Sequence, residues 1–510
     1  MSTPTTHREI ERKFRVHALF TWPDLTGVVD EIEEQPSVEM TAVYHDTPDL
    51  TLFRWRVTLR RREGGADAGW HLKLPVFDEA ATVRDELHAP LSAGEIGSVP
   101  AELADIIGPL VRGQQLTPVV RLHTRRTPKL VRSLAGVPLV EMVDDVVTVV
   151  DEQGAPLAIF RELEIELLDN DNPDALAAMD NLSEALIAVG ATPGTTSKAA
   201  AALGPRAGAP ADVPELPMPK PSGMAADAIR ATIARHVRDL IFADVAVRRD
   251  LPDAVHKVRV SARRLRSVLR TFDPLLDHAW ALALEEELAW LANEMGLIRD
   301  SEVLEERLIR HAGELDEQDA QLAIREIQST LDRRVEVARA GALAALRSDR
   351  HTYLIEDLVQ AARAPRLLDN AYQACEDVLP ELVAQSWRTL VKSCRGLEIF
   401  GPAGEWHRAR IKAKRARYAV DAVLPIFAGP VRKFAKALAE VTELLGDHQD
   451  AYVAQEFLRE LATAETTGGA AGYALGLLHG IELEAEMTSR YAFVDIWEGA
   501  RRAAHQSGLL

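Results

Sequence analysis

Between Thr41 and Leu91 apolar and polar residues alternate in short runs, as in Val43-Tyr44-His45-Asp46-Thr47, Thr58-Leu59-Arg60-Arg61-Arg62 and Trp70-His71-Leu72-Lys73-Leu74. A period of two, broken by Gly, Pro and Asp, predicts antiparallel strands joined by hairpins. Strand character returns at Val119 to Leu122, Leu139 to Val150 and Ile159 to Leu168. Elsewhere the apolar period is helical. Leu25, Val28, Val29 and Ile32 predict one short helix, Leu103, Ile106, Ile107 and Leu110 a second, and Leu176, Met179, Leu182 and Leu186 a third. Many short strands with few helices predict a closed antiparallel β-barrel with flanking helices over residues 1–204.

Residues 205–223 carry Pro205, Pro210, Pro214, Pro217, Pro219 and Pro221, which neither a helix nor a central strand accommodates, so this stretch reads as a linker. Beyond it, residues 224–510 are rich in Ala, Leu, Glu and Arg at helical period, with breaks at Pro252, Pro274, Pro365, Pro402 and Pro430. That pattern predicts an all-α domain. Its halves repeat. The run from His256 to Arg266 matches that from His407 to Arg417, and Met295-Gly296-Leu297-Ile298-Arg299-Asp300 matches Leu445-Gly446-Asp447-His448-Gln449-Asp450 at nearly the same offset. Two bundles, over about 224–365 and 366–510, follow from the duplication. The whole chain is thus a multi-domain protein, a barrel followed by duplicated helical bundles.

A length of 510 residues with 47% hydrophobic composition supports several cores. The net charge of −19 argues against a general nucleic-acid or anionic-membrane surface, so any polyanion must be met by local basic clusters. Cys375 and Cys394 imply no disulfide framework and point to a reducing compartment. With no signal-like start and no uninterrupted run of eighteen apolar residues, the expected location is cytoplasmic.

Charged residues recur on strand faces. In an extended Arg8-Glu9-Ile10-Glu11-Arg12-Lys13-Phe14, Glu9, Glu11 and Lys13 point one way; Arg60 and Arg62 share a face, as do Arg84 and Glu86, and Glu162, Glu164 and Glu166 repeat at period two. Lys73, Arg126, Asp144 and Lys198 extend the set. One face of every strand in a closed sheet points inward, so the expected lumen is ionic. Arg and Lys suit the oxygens of a phosphate chain, and carboxylates beside them suit Mg²⁺ or Mn²⁺. The expected chemistry is metal-assisted phosphoryl transfer to water.

These residues resemble the CYTH domain, the triphosphate tunnel metalloenzymes: Glu9-x-Glu11-x-Lys13, Tyr44-His45-Asp46-Thr47, Leu59-Arg60-x-Arg62, Leu72-Lys73, Arg84-x-Glu86, Asp144 and Glu162-x-Glu164-x-Glu166, over about Arg8 to Leu203. The resemblance implies an eight-stranded tunnel hydrolysing inorganic triphosphate. It places Glu9, Glu11, Asp144, Glu162, Glu164 and Glu166 at metal and Lys13, Arg60, Arg62, Lys73, Arg84, Arg126 and Lys198 on phosphates. Catalysis is expected of Glu9, Glu11, Lys13 and Lys73. Two registers stay open, Arg125 against Arg126 and Asp144 against Asp145, and the metal pair on the Glu162 to Glu166 strand is either neighbouring two. Ala199 stands where that family often has an aromatic, and Arg56 where it usually has a small residue.

On a helix, His256, Arg259, Arg263, Arg266 and Arg270 form one stripe, and His407, Arg410, Lys414 and Arg417 repeat it. Like charges at such spacing oppose each other, which points to an anionic partner or to facing carboxylates such as Glu285, Glu286 and Glu287. The pattern resembles the CHAD domain, the conserved histidine α-helical domain, over about Ala225 to Ala504. The second copy departs at Lys414 and Gln449, where the first has Arg. The resemblance implies inorganic polyphosphate held between the halves and association with polyphosphate granules. No nucleic acid is expected, since the stripes lack interleaved aromatics for stacking on bases. The alternatives to a triphosphatase are a non-enzymatic polyphosphate-binding protein and a relative acting on nucleotide or thiamine triphosphate.

Overall fold

The computed structural model describes residues 5–76, 83–194 and 196–510, with side chains in the first strand from Ile10 onward. The chain divides into two compact units, Met1–Asp212 and Val213–Leu510. In the first, ten strands are described: β1 (Thr5–Val16), β2 (Glu31–Glu34), β3 (Val38–Asp46), β4 (Thr58–Glu63), β5 (Gly69–Pro75), β6 (Val83–Ala89), β7 (Thr117–Arg132), β8 (Pro138–Val150), β9 (Pro156–Leu167) and β10 (Thr192–Gly194). β1 closes the ring. Its residues Thr5 to Ile10 pair with β6 and Glu11 to Val16 with β9, so eight antiparallel strands run β1-β6-β5-β4-β3-β7-β8-β9 and return to β1. β2 joins β7 outside the ring and β10 joins β1.

The alternation of the strands is turned inside out. Leu163, Ile165 and Leu167 of β9 face outward and pack under helix α4 (Pro173–Ala188) with Met179, Leu182 and Leu186, which sends Glu162, Glu164 and Glu166 inward. Asn172 caps α4 by accepting from the Asp174 and Ala175 amides. On β5, Trp70, Leu72 and Leu74 are buried outside while His71 and Lys73 point in. Three further short helices flank the ring, α1 (Thr51–Arg54), α2 (Ala101–Ile106) and α3 (Gly108–Val111), and α5 (Lys198–Leu203) follows β10.

The lumen is ionic over only part of its length. Ala42, Tyr44, Leu122, Val147 and Val149 form an apolar layer, on which Phe53 of α1 and Ala199 and Leu203 of α5 pack. The helix expected over Leu25 to Ile32 does not form. Gly27, at φ +80°, interrupts it, and the segment makes turns and then β2, while Leu25, Val28, Val29 and Ile32 still pack on the core beneath α4. The first residues of the proline-rich stretch lie on the barrel unit: Arg54 Nε donates to the Pro210 carbonyl at 2.7 Å and Trp55 Nε1 to Asp212 at 2.7 Å.

The second unit holds, among the described residues, ten α-helices. They are α6 (Ala225–Arg248), α7 (Ala254–Phe272), α8 (His278–Glu294), α9 (Gly296–Ala312), α10 (Glu317–Leu346), α11 (Asp349–Arg363), α12 (Cys375–Cys394), α13 (Ala403–Phe427), α14 (Pro430–Ala462) and α15 (Gly469–Gln506). The repeat is visible in their order. α7 packs between α6 and α8 as α13 packs between α12 and α14, and α14 runs straight through the position where Met295 separates α8 from α9. The two basic helices, α7 and α13, pack against each other. α11 lies on α6, where the second half has no equivalent helix among the described residues.

Candidate functional site

Inside the barrel, Lys13, Arg60, Arg62, Lys73, Arg84, Arg126 and Lys198 line one cavity together with Glu11, Glu86, Glu164 and Glu166. The strand register sets this arrangement. β1 lies on β9 with Lys13 opposite Glu164 and Glu11 opposite Glu166, and β7 on β8 with Arg126 opposite Asp145. Lys13 Nζ bridges Glu11 at 2.9 Å and Glu164 at 2.6 Å. Ser197 caps α5, whose first residue, Lys198, reaches Glu164 at 2.7 Å, Asp145 at 2.9 Å and Glu162 at 3.5 Å. Arg126 grips Asp145 with two bonds, at 3.0 and 2.7 Å, and Glu164 at 3.0 Å.

These contacts set the charge states. Burial alone would raise Glu164, but Lys13, Lys198 and Arg126 outweigh it and hold the carboxyl well below its ordinary range. Glu162 differs. Burial, with Glu164 beside it, pushes it up to about 7 against the opposing pull of Lys198, and its buried Oε1 has no hydrogen-bond partner. Burial and the neighbouring Arg60 and Arg126 bring Arg62 down to about 9.

Asp144 is not in the lumen. It faces outward to Arg161, whose Nε lies 2.8 Å away, and accepts from Trp22 Nε1 at 3.0 Å; strand alternation gives the inward place to Asp145, which is fully buried. Arg126 is inside and Arg125 is exposed. The backbone of Glu9 pairs opposite Arg84, and its side chain lies outside the described residues.

Three lumen groups to which the sequence reading gave no role also belong to the site, two of them, Glu86 and Tyr44, within motifs it had quoted. Glu86 accepts from His71 at 2.8 Å and lies 3.8 Å from both Lys73 and Arg60. Asp67, on the β4–β5 hairpin, pairs with Arg62, and the Tyr44 hydroxyl lies 3.4 Å from Arg60. The alternation on β6 marked Glu86 as inward; nothing local marked Asp67, because a loop has no fixed face.

Among the described residues no three His, Cys, Asp or Glu side chains converge to hold a metal ion. Lys13 and Lys198 stand between the carboxylates instead. The donor chemistry nevertheless fits a hard divalent cation: the donors are all oxygen, they are buried, and Glu162 Oε1, without a hydrogen bond and with the Lys198 ammonium 3.5 Å away, is the kind of group a cation would satisfy.

In the helical unit the two stripes meet. Arg263 of α7 faces Arg410 and Lys414 of α13, with its guanidinium 5.7 Å from the Tyr418 ring centre. The repeated motifs supply equivalent partners, Asp300 to Arg259 at 2.8 Å and Asp450 to Arg410 at 4.0 Å. Facing carboxylates thus answer part of the stripe: Glu285 pairs with Arg270, whereas Glu287 turns to Arg350. The buried Nε atoms of Arg263, Arg266 and Arg410 have no hydrogen-bond partner. Burial and the adjacent Arg410 and Arg263 pull Lys414 down to about 7. Arg417 donates to Thr442 at 2.8 Å, His407 bonds Gln449 at 2.5 Å, and His256 is half-buried at the head of α7.

Residues 7–190 match the CYTH domain and residues 231–459 the CHAD domain. Two uncharacterized proteins of Mycobacterium tuberculosis, from strains CDC 1551 and H37Rv, are each 35% identical over 513 residues, covering 96% of this chain and 94% of their own. Among solved structures, PptA from Streptomyces chartreusis aligns at 24% identity over 54% of this chain and 100% of that one, with a TM-score of 0.48. The CHAD domain from the plant Ricinus communis aligns at 26% identity over 56% and 94%, with a TM-score of 0.46. With a closed eight-stranded tunnel followed by a duplicated helical bundle, the chain belongs to the family that joins a CYTH domain to a CHAD domain.

Proposed function

We propose that the tunnel hydrolyses inorganic triphosphate with the help of Mg²⁺ or Mn²⁺, and that the helical unit binds inorganic polyphosphate. The observation that carries this reading is the joint presence, in one buried bore, of Arg60, Arg62, Lys73 and Lys198 with Glu11, Glu162 and Glu164. A lumen serving only to hold an anion gains nothing from buried carboxylates, which repel it. Arg60, Arg62, Lys73 and Arg84 on adjoining strands bind and orient the phosphates, and Lys13 and Lys198 balance the acidic wall. Glu11, Glu162 and Glu164, with Asp145 behind them, would hold the metal. Once bound, the metal supplies charge neutralisation on the phosphates and activation of water. The helical unit supports the second half of the reading through the unpaired guanidinium atoms of Arg263, Arg266 and Arg410. No helix among the described residues is long and apolar enough to cross a membrane.

The test is phosphate release from tripolyphosphate with and without Mg²⁺ or Mn²⁺, repeated from pH 6 to 9. Release is expected only with metal. Protons compete with metal for Glu162 below about 7, so activity should fall as the medium is acidified through that value, and Glu162→Gln should flatten this limb. Absence of release under every condition would leave a binding protein, and faster release from nucleoside or thiamine triphosphate would reassign the substrate.

A further inference from the structure

The duplication places each residue of α7 against one 151 positions later on α13: His256 corresponds to His407, Arg263 to Lys414 and Arg264 to Arg415. Around the crossing of these helices lie two side grooves that the duplication makes equivalents of each other. One, of about 470 Å³, runs between α7, α8, α12 and α13; the other, of about 400 Å³, between α6, α7 and α13. Their charge has diverged. The first is lined by Arg270, Lys412 and Arg415 with the acids Asp273 and Glu285, and the second by Arg235 and Arg264 with Asp239 and Asp421; at the equivalents of Arg270 and Lys412 stand Asp421 and Ser261. Asp421 lies 3.7 Å from Arg417, so it also answers a cation of the central stripe.

In the larger groove Glu285 is taken by Arg270, and Lys412 and Arg415 have no ion-pair partner among the described residues. Ser386 and Thr389 of α12 add neutral donors along the same wall. The groove adjoins the central cluster through Arg266, which feels Arg270, Glu285 and Arg415 together and whose Nε is buried without a partner. We infer that a polyphosphate chain held at the Arg263–Lys414 crossing continues into the α7–α8–α12–α13 groove alone, and is turned away from the equivalent groove by Asp421. This rests on the polyphosphate reading above and adds to it a one-sided path with Lys412 and Arg415 as contacts.

The experiment compares tripolyphosphate with long-chain polyphosphate, measured by calorimetry on the full chain. Lys412→Ala with Arg415→Ala should weaken long-chain binding about tenfold or more and lower its salt slope by roughly two, with tripolyphosphate binding, to which the tunnel also contributes, changed less than about twofold. Asp421→Asn should strengthen long-chain binding by opening the second groove. Unchanged long-chain binding in the double variant, an equal loss for both lengths, or no gain from Asp421→Asn would overturn the path. No binding of polyphosphate by the unaltered protein would instead remove the reading on which it stands. Displacement of bound polyphosphate by single-stranded DNA at equal phosphate concentration would also overturn it, by showing a site for polyanions in general.

Discussion

Glu11→Ala is expected to reduce metal-dependent phosphate release from tripolyphosphate by about 100-fold or more, and to leave long-chain polyphosphate binding by the helical unit unchanged. Glu11 is only 7% exposed and lines the same cavity as Glu164 and Glu166, so its loss takes an oxygen donor from the acidic wall. Lys13 keeps Glu164 at 2.6 Å, so the buried ammonium is not stranded and the barrel should fold. Glu11→Gln preserves the volume and separates charge from packing. A metal titration of release for the three proteins, with thermal unfolding as the control, decides the matter. Turnover that survives in Glu11→Ala would take Glu11 out of the metal set.

Arg263→Glu combined with Arg410→Glu should weaken polyphosphate binding by about 100-fold or more and leave tripolyphosphate hydrolysis unaltered. Both residues sit at the crossing of α7 and α13, where Lys414 is already depressed to about 7 by burial and by these same arginines. Burial is the larger cause and the neighbouring cations the smaller, and a bound polyanion would oppose both. Reversing two of them turns the attraction into repulsion at the centre of the cluster. Filter retention of labelled polyphosphate over a range of salt is the measurement. Retention equal to that of the unaltered protein would show the stripes to be structural, serving only Asp300 and Asp450.

Where the chain alternates strictly, residues and face could be read together: β9 shows Glu162, Glu164 and Glu166 inward and Leu163, Ile165 and Leu167 under α4 because period two leaves no other division. At Asp144-Asp145 the same rule gave two answers, since adjacent acids occupy both faces and only Arg161 outside and Arg126 inside separate them. The helix expected over Leu25 to Ile32 failed because four apolar residues at helical spacing also suit a turn-and-strand segment laid on a core. Asp67 and the capping of α5 over the bore depend on contacts between distant segments, which no local period records. The repeat in the helical unit was plain from His256 and His407, yet the difference between Arg270 and Asp421 acquires meaning only once the two grooves are seen side by side.

The layer of Ala42, Tyr44, Leu122, Val147 and Val149, with Phe53 and Ala199 over it, gives one part of the barrel's interior an oily lining. A phosphate chain, charged at every unit, gains nothing from lying against such a wall. A chain bound as proposed would therefore come to rest among the cations, with the greasy stretch left to the helices that cover it.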